Sequence, residues 1–203
     1  MITTLKAIEK HDPCSTVWRK LLPHLGKTEV DDEPLSIATI LDNNGLDDAL
    51  LCLRAVKGRD REIRLYAVWC ARQVQHLMRD PRSLAALDVA ERYANGMATD
   101  AELSDAEEAA MDAVEDARTS AWRADAWTAA WAANAAWTAA WAADAAWAAV
   151  DAAWAAAWAA SSAAAWAAEE AAAETSAAAA AWYAARKQQG DKLREICLEV
   201  ENE

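Results

Sequence analysis

Residues 127–147 read WTAAWAANAAWTAAWAADAAW. The stretch is built almost entirely from the largest side chain and nearly the smallest one that can pack. Read as a tail, a membrane span, a sticky surface or a core, it gives four different proteins.

No Gly or Pro interrupts residues 97–189, and from 121 to 192 the only branched aliphatic residue is Val150. Alanine has the highest helix propensity of any residue, so the region is locally helical. Ten of the chain's 12 Trp fall within it, which argues against disorder, because disordered segments lack aromatics. A single helix over 97–189 would be a rod of roughly 140 Å. With Trp127 at zero and about 100° per residue, Trp131 falls near 40°, Trp137 near 280°, Trp141 near 320° and Trp147 near 200°. Such a rod carries Trp over more than half of its circumference, more apolar surface than a soluble monomer tolerates.

Local pairs point elsewhere. Trp127/Trp131, Trp137/Trp141 and Trp154/Trp158 are each one helical turn apart. A small polar residue (Asp125, Asn134, Asp144, Asp151 or Ser162) recurs shortly before a Trp, and Asp, Asn and Ser are preferred helix caps. The pattern predicts short stacked helices, each capped and anchored by Trp, with long rod-like helices as the alternative. In the stacked arrangement the expected core is Trp127, Trp131, Trp137, Trp141, Trp147, Trp154, Trp158 and Trp166, with Ala as spacer.

Toward the N-terminus the chain reads as ordinary helices. Ser15 caps a short helix stopped by Pro23. Pro34 suits a first helical turn before Leu35, Ile37, Ile40 and Leu41. Leu46 to Val56 follows after Asn43-Asn44-Gly45. In 60–79, Ile63, Ala67, Cys70, Val74 and Leu77 form one apolar face. Asp80-Pro81 caps the next helix, Asn95-Gly96 ends it, and Thr99 with Glu102 has capping-box spacing. The predicted fold is therefore all-α: a helical bundle or short α-solenoid over 1–118, an Ala/Trp-rich helical repeat over 119–188, and a C-terminal helix over 189–203.

Net charge is −13, unevenly spread: 14 basic against 15 acidic residues in 1–100, and 6 against 18 in 101–203. This excludes ordinary phosphate-backbone binding, which needs clustered cations. It suits solubility or a basic protein partner. Residues 54–82 hold eight cations and three acids, and the expectation is that they face the acidic half of the same chain. A surface for stacking bases would want basic residues between the rings, and here Ala, Asp and Asn separate them. The uncharged runs 126–143 and 152–168 sit at the lower edge of span length, but Trp belongs at membrane interfaces rather than along a span.

Four dispersed cysteines and no signal-peptide core predict a cytoplasmic chain with free thiols. There is no phosphate loop, no nucleophile elbow, no zinc-site spacing and no triad among three His. The expectation is a protein without catalysis, metal or cofactor, acting on a protein partner. Candidate partner-binding residues are the carboxylates Glu102, Glu107, Glu108, Asp112, Glu115 and Asp116. The alternative is a self-assembling homo-oligomer whose subunits pack through Trp.

The segments DNNGLDDALLCLRAV (42–56) and REIRLYAVWCARQVQHLMRDPRSLAALDVAERYANGMATDAEL (61–103), followed by Ala/Trp repeats, resemble a family of immunity proteins from bacterial polymorphic-toxin loci and phages. CARQVQHLM with DPRSLAALDVAERYANG is the distinctive part, and the likeness covers about 33–185. The resemblance implies an all-α protein that neutralises a toxin by binding it. It brings no binding residues with it, and the tail here is richer in Trp and poorer in Arg.

Overall fold

A computed structural model describes residues 1–11, 15–119, 124–141, 144–170 and 176–201. The fold is all-α: ten α-helices and one two-stranded sheet among those residues. The chain divides into two compact units, 1–60 with 189–203, and 61–188. This differs from the division 1–118, 119–188 and 189–203, because the helix ending at Thr119 packs on the first Ala/Trp helix and both belong to the second unit.

In the first unit, β1 (Ile2–Thr3) pairs antiparallel with β2 (Leu35–Ser36), Ile2 opposite Ser36 and Thr3 opposite Leu35. The strand takes the place of the helical turn expected after Pro34. Ser36 is extended and its hydroxyl accepts from the Ala38 amide, so helix α3 (Ile37–Asn44) starts three residues after the proline. Helices α1 (Leu5–Glu9), α2 (Ser15–His24) and α4 (Leu46–Cys52) complete the set, and Pro23 lies inside α2 rather than ending it. The run from Leu46 is helical only to Cys52 and tightens to a 3-10 turn at Leu53–Ala55. Leu5, Ile8, Leu21, Ile37, Ile40, Leu50 and Leu53 are buried there with Leu193 and Cys197 of α10 (Ser176–Glu201). Ser36 also donates to Glu201 at 2.5 Å, and Arg194 pairs with Asp42.

The second unit begins with α5 (Asp60–Arg72), whose Ile63, Ala67 and Cys70 are buried as the periodicity predicts. Asp80 caps α6 (Pro81–Ala94), accepting from the Arg82 amide at 2.8 Å. Thr99 and Glu102 exchange the two bonds of a capping box at the start of α7 (Asp100–Thr119). Arg72 and Arg82, cations of the 54–82 run, pair within the chain, mostly with near neighbours rather than with the acidic half: Arg72 with Asp88 and Glu91, and Arg82 with Asp80, while of these pairs only Arg82–Asp116 reaches beyond residue 100.

The Ala/Trp region forms neither a rod nor a stack of short helices. It makes α8 (Ala124–Ala139), α9 (Ala145–Glu170) and the start of α10. Asp144 is a true cap, accepting from the amides of Ala146 and Trp147 at 2.9 and 3.1 Å. Asn134, Asp151 and Ser162 lie inside helices, so they cap nothing, and the side chain of Asp125 lies outside the described residues. Thr128 bonds Ser162 at 2.9 Å and Trp131 stacks on Trp158. The partners step in opposite directions, so α8 and α9 are antiparallel. The same holds for α9 and α10, where Ser161 donates to the Ala178 carbonyl and Trp154 meets Trp182. Helix α8 also packs on α6, α7 and the 3-10 turn Gln75–Leu77. Enclosure by several neighbours is why its apolar residues need no single stripe.

The expectation of a Trp core is corrected here. Between 127 and 139 the residues that are not buried are Trp127, Trp131, Asn134 and Trp137, and between 145 and 159 they are Trp147, Asp151, Trp154 and Trp158. Every buried residue in those spans is Ala, Thr or Val. Trp127, Trp154 and Trp158 are 49%, 39% and 44% exposed, and Trp131, Trp137, Trp141 and Trp147 are half-buried. The side chain of Trp166 lies outside the described residues. Helices enclosed on several sides need small residues to bring their backbones together, so Ala fills the closest contacts and Trp is left toward the rim, where rings of neighbouring helices meet one another but stay part-exposed.

Candidate functional site: an aromatic face on the second unit

At about 100° per residue, Trp147, Asp151, Trp154 and Trp158 fall within about 60° of one another on α9. On α8, Trp127, Trp131, Asn134 and Trp137 span about 120°. The two stripes join where Trp131 stacks on Trp158, with centroids 6.0 Å apart and planes 23° apart. From α10, Trp182 meets Trp158 at 5.0 Å and Trp154 at 5.3 Å, both tilted. These separations and tilts are those that aromatic quadrupoles favour. The Arg186 guanidinium lies 5.3 Å from the Trp154 ring and 6.0 Å from that of Trp182. The result is one continuous aromatic face across three helices.

Two polar groups are set into it. Asn134 belongs to a cleft of about 210 Å³ formed with Val114, Arg118, Trp127, Ala130 and Trp131. Asp151 is half-buried in the Trp stripe and has no partner among the described residues. Desolvation by its surroundings raises its carboxyl pKa above the usual value.

The six carboxylates expected to bind a partner lie on α7, in three different situations. Glu102 is consumed by its capping box and by Arg92 at 3.5 Å, and the Thr99 hydrogen bonds hold its pKa low. Asp116 is bridged to Arg82 at 2.5 Å, and Glu107 is half-buried with a partner of its own. Glu108, Asp112 and Glu115 are exposed on the outer side of α7, without partners among the described residues.

Catalytic geometry is a separate matter. Cys52, Cys70 and Cys197 are buried free thiols, pushed up to about 12, 12 and 11 by burial, and so are poor nucleophiles. Among the described residues no group of three or more His, Cys, Asp or Glu is placed to hold a metal ion. No helix of the described residues is long and apolar enough to cross a membrane.

Reading the sequence from periodicity missed the outward Trp stripe and the position of Asp151 within it. The signal was present in the 4, 3, 4 spacing of residues 147, 151, 154 and 158, which places all four on one helical face. No family model matches this chain, and no curated protein or solved structure is similar to it.

Proposed function

We propose that the chain is a non-enzymatic binding protein that neutralises a protein partner by covering it, as an immunity or counter-defence factor does. The aromatic face carries this reading. Trp is strongly enriched among the residues that dominate binding energy, and it is an expensive residue to leave in water without a use. Three rings at 39–49% exposure leave on the order of 100 Å² of apolar surface each, before the half-buried rings are counted. The likeness of residues 42–103 to immunity proteins points the same way, toward a toxin as partner. Such a factor would act in the cytoplasm and without a cofactor.

Self-assembly through the same rings is the competing use of this face. It is disfavoured by charge, since two copies at −13 each repel at low ionic strength. The decisive experiment is co-expression with the protein encoded beside this gene. Protection and co-purification are expected with the native chain. The double variant Trp154→Ala/Trp158→Ala is expected to weaken the complex by about 2 kcal/mol or more. A complex that tolerates both substitutions removes the aromatic face from the interface, and the proposal with it.

A further inference from the structure

Resting on that reading, we infer that the aromatic face receives an arginine- or lysine-rich segment of a protein partner, with one cationic side chain seated on Asp151 between the rings of Trp147 and Trp154. Trp147 precedes Asp151 by four residues and Trp154 follows it by three, so both flank the carboxylate on the same side of α9. A carboxylate set among aromatic rings, unpaired among the described residues, is matched by a group that is cationic and also tolerates apolar walls. Guanidinium and ammonium groups meet both conditions, through the ion pair and through attraction to the ring faces.

The chain itself displays half of this arrangement. Arg186 stands over Trp154 and Trp182, which shows that the rings accept a guanidinium. The long-range field agrees, because residues 101–188 of this unit carry 13 acidic against 4 basic side chains. Glu108, Asp112 and Glu115 add exposed negative charge on α7, the helix that forms one wall of the Trp127–Trp131 cleft through Val114 and Arg118. Arg118 at that cleft opposes a cation there, so the cleft suits an apolar neighbour of the basic residue instead.

Other occupants fit less well. A lipid surface is held by Trp faces rich in Lys and Arg; Arg186 and Arg118 border this one, but Asp151 lies inside the stripe and would face the headgroup phosphates with like charge. A second copy would bring like charge against like charge, with Asp151 opposed by another acidic surface.

The test uses the full chain with an oligo-arginine peptide as probe, beside an oligo-glutamate peptide, phosphatidylcholine vesicles, and the chain alone followed by light scattering. The oligo-arginine peptide is expected to bind, with quenching of Trp emission. Asp151→Asn and Trp154→Phe are each expected to weaken it about tenfold. Glu199→Gln, an exposed acid of the first unit, serves as the general-charge control and is expected to change affinity by less than about twofold. Both test substitutions are conservative, and unchanged circular dichroism excludes unfolding as the cause. Equal losses for Asp151→Asn and Glu199→Gln would reduce the effect to net charge and overturn the inference. So would binding to vesicles in place of the peptide, or Trp154-dependent dimerisation of the chain. Capture of the neighbouring gene's product that needs Trp154 and Trp158 but survives Asp151→Asn would defeat the inference and leave the binding function standing. Loss of both, with no probe bound, would defeat the two together.

Discussion

At the scale of single residues, the aromatic face contains a stability cost. The Asp151 carboxyl is raised by desolvation, so its charged form is less stable in the folded chain than in the unfolded one. The sign follows: the penalty is fully present above the folded pKa and disappears as pH falls through that value toward the unfolded one. Asp151→Asn is therefore expected to raise the denaturation midpoint at neutral pH, with the gain vanishing below pH ~4. Urea titrations of both forms across that range measure it, and a gain that persists in acid would assign the effect to packing instead. A variant that is more stable but binds less well is the signature of a residue kept for binding. Trp137 is a second case, since its indole Nε1 is buried with no hydrogen-bond partner among the described residues. Trp137→Phe removes that unsatisfied donor and is expected to be neutral or stabilising by about 1 kcal/mol in the same titration. A loss comparable to a buried-ring deletion would show that the donor has a partner in solution.

At the scale of elements, α8 and α9 use alanine where most helices use leucine. Ala136 and Ala152 have no exposed surface, and the helices around them approach over side chains of one carbon. Enlarging either to Leu adds volume that the antiparallel pair cannot absorb, so Ala152→Leu is expected to destabilise by about 1–3 kcal/mol. An unchanged thermal midpoint would mean that the helices separate freely. Helix α10 gives the opposite expectation at Gly190, a helical glycine whose added Cβ would meet only Leu41 Cδ1, at 3.9 Å. Gly190→Ala is expected to stabilise by about 0.5–1 kcal/mol, read from the same midpoint. These elements also show what could be read in advance. The caps at Asp80 and Thr99 and the apolar face of Ile63, Ala67 and Cys70 are local, so spacing alone predicts them. Which of Ala and Trp turns inward is not local. It depends on α8 having α6, α7 and α9 around it, and an alternating two-letter sequence fits either assignment. Asn134, Asp151 and Ser162 misled for the same reason: a small polar residue caps a helix only where a helix begins, and Asp144 stands where α9 begins while these three lie mid-helix.

At the scale of the whole molecule, the buried thiols report on both compact units. Cys52 and Cys197 belong to the first and Cys70 to the second. Burial raises each thiol, to about 12 for Cys52 and Cys70 and about 11 for Cys197. A thiol raised on folding stays protonated in the native chain while the unfolded one ionises. Stability is therefore unaffected below the unfolded pKa of about 8.5 and falls as pH climbs from there toward the folded values. Urea midpoints are expected to hold between neutrality and that point and to drop progressively above it. Replacing Cys70 with Ala should flatten the decline for the second unit. Pulsed alkylation along the urea titration then separates the units. Cys52 and Cys197 lie far apart in sequence but in one unit, so they are expected to become reactive together, at one urea concentration. Labelling of Cys197 well before Cys52 would mean that the last turns of α10 leave Met1, Ser36 and Asp42 without taking the rest of the unit with them, and that the first unit does not unfold as one.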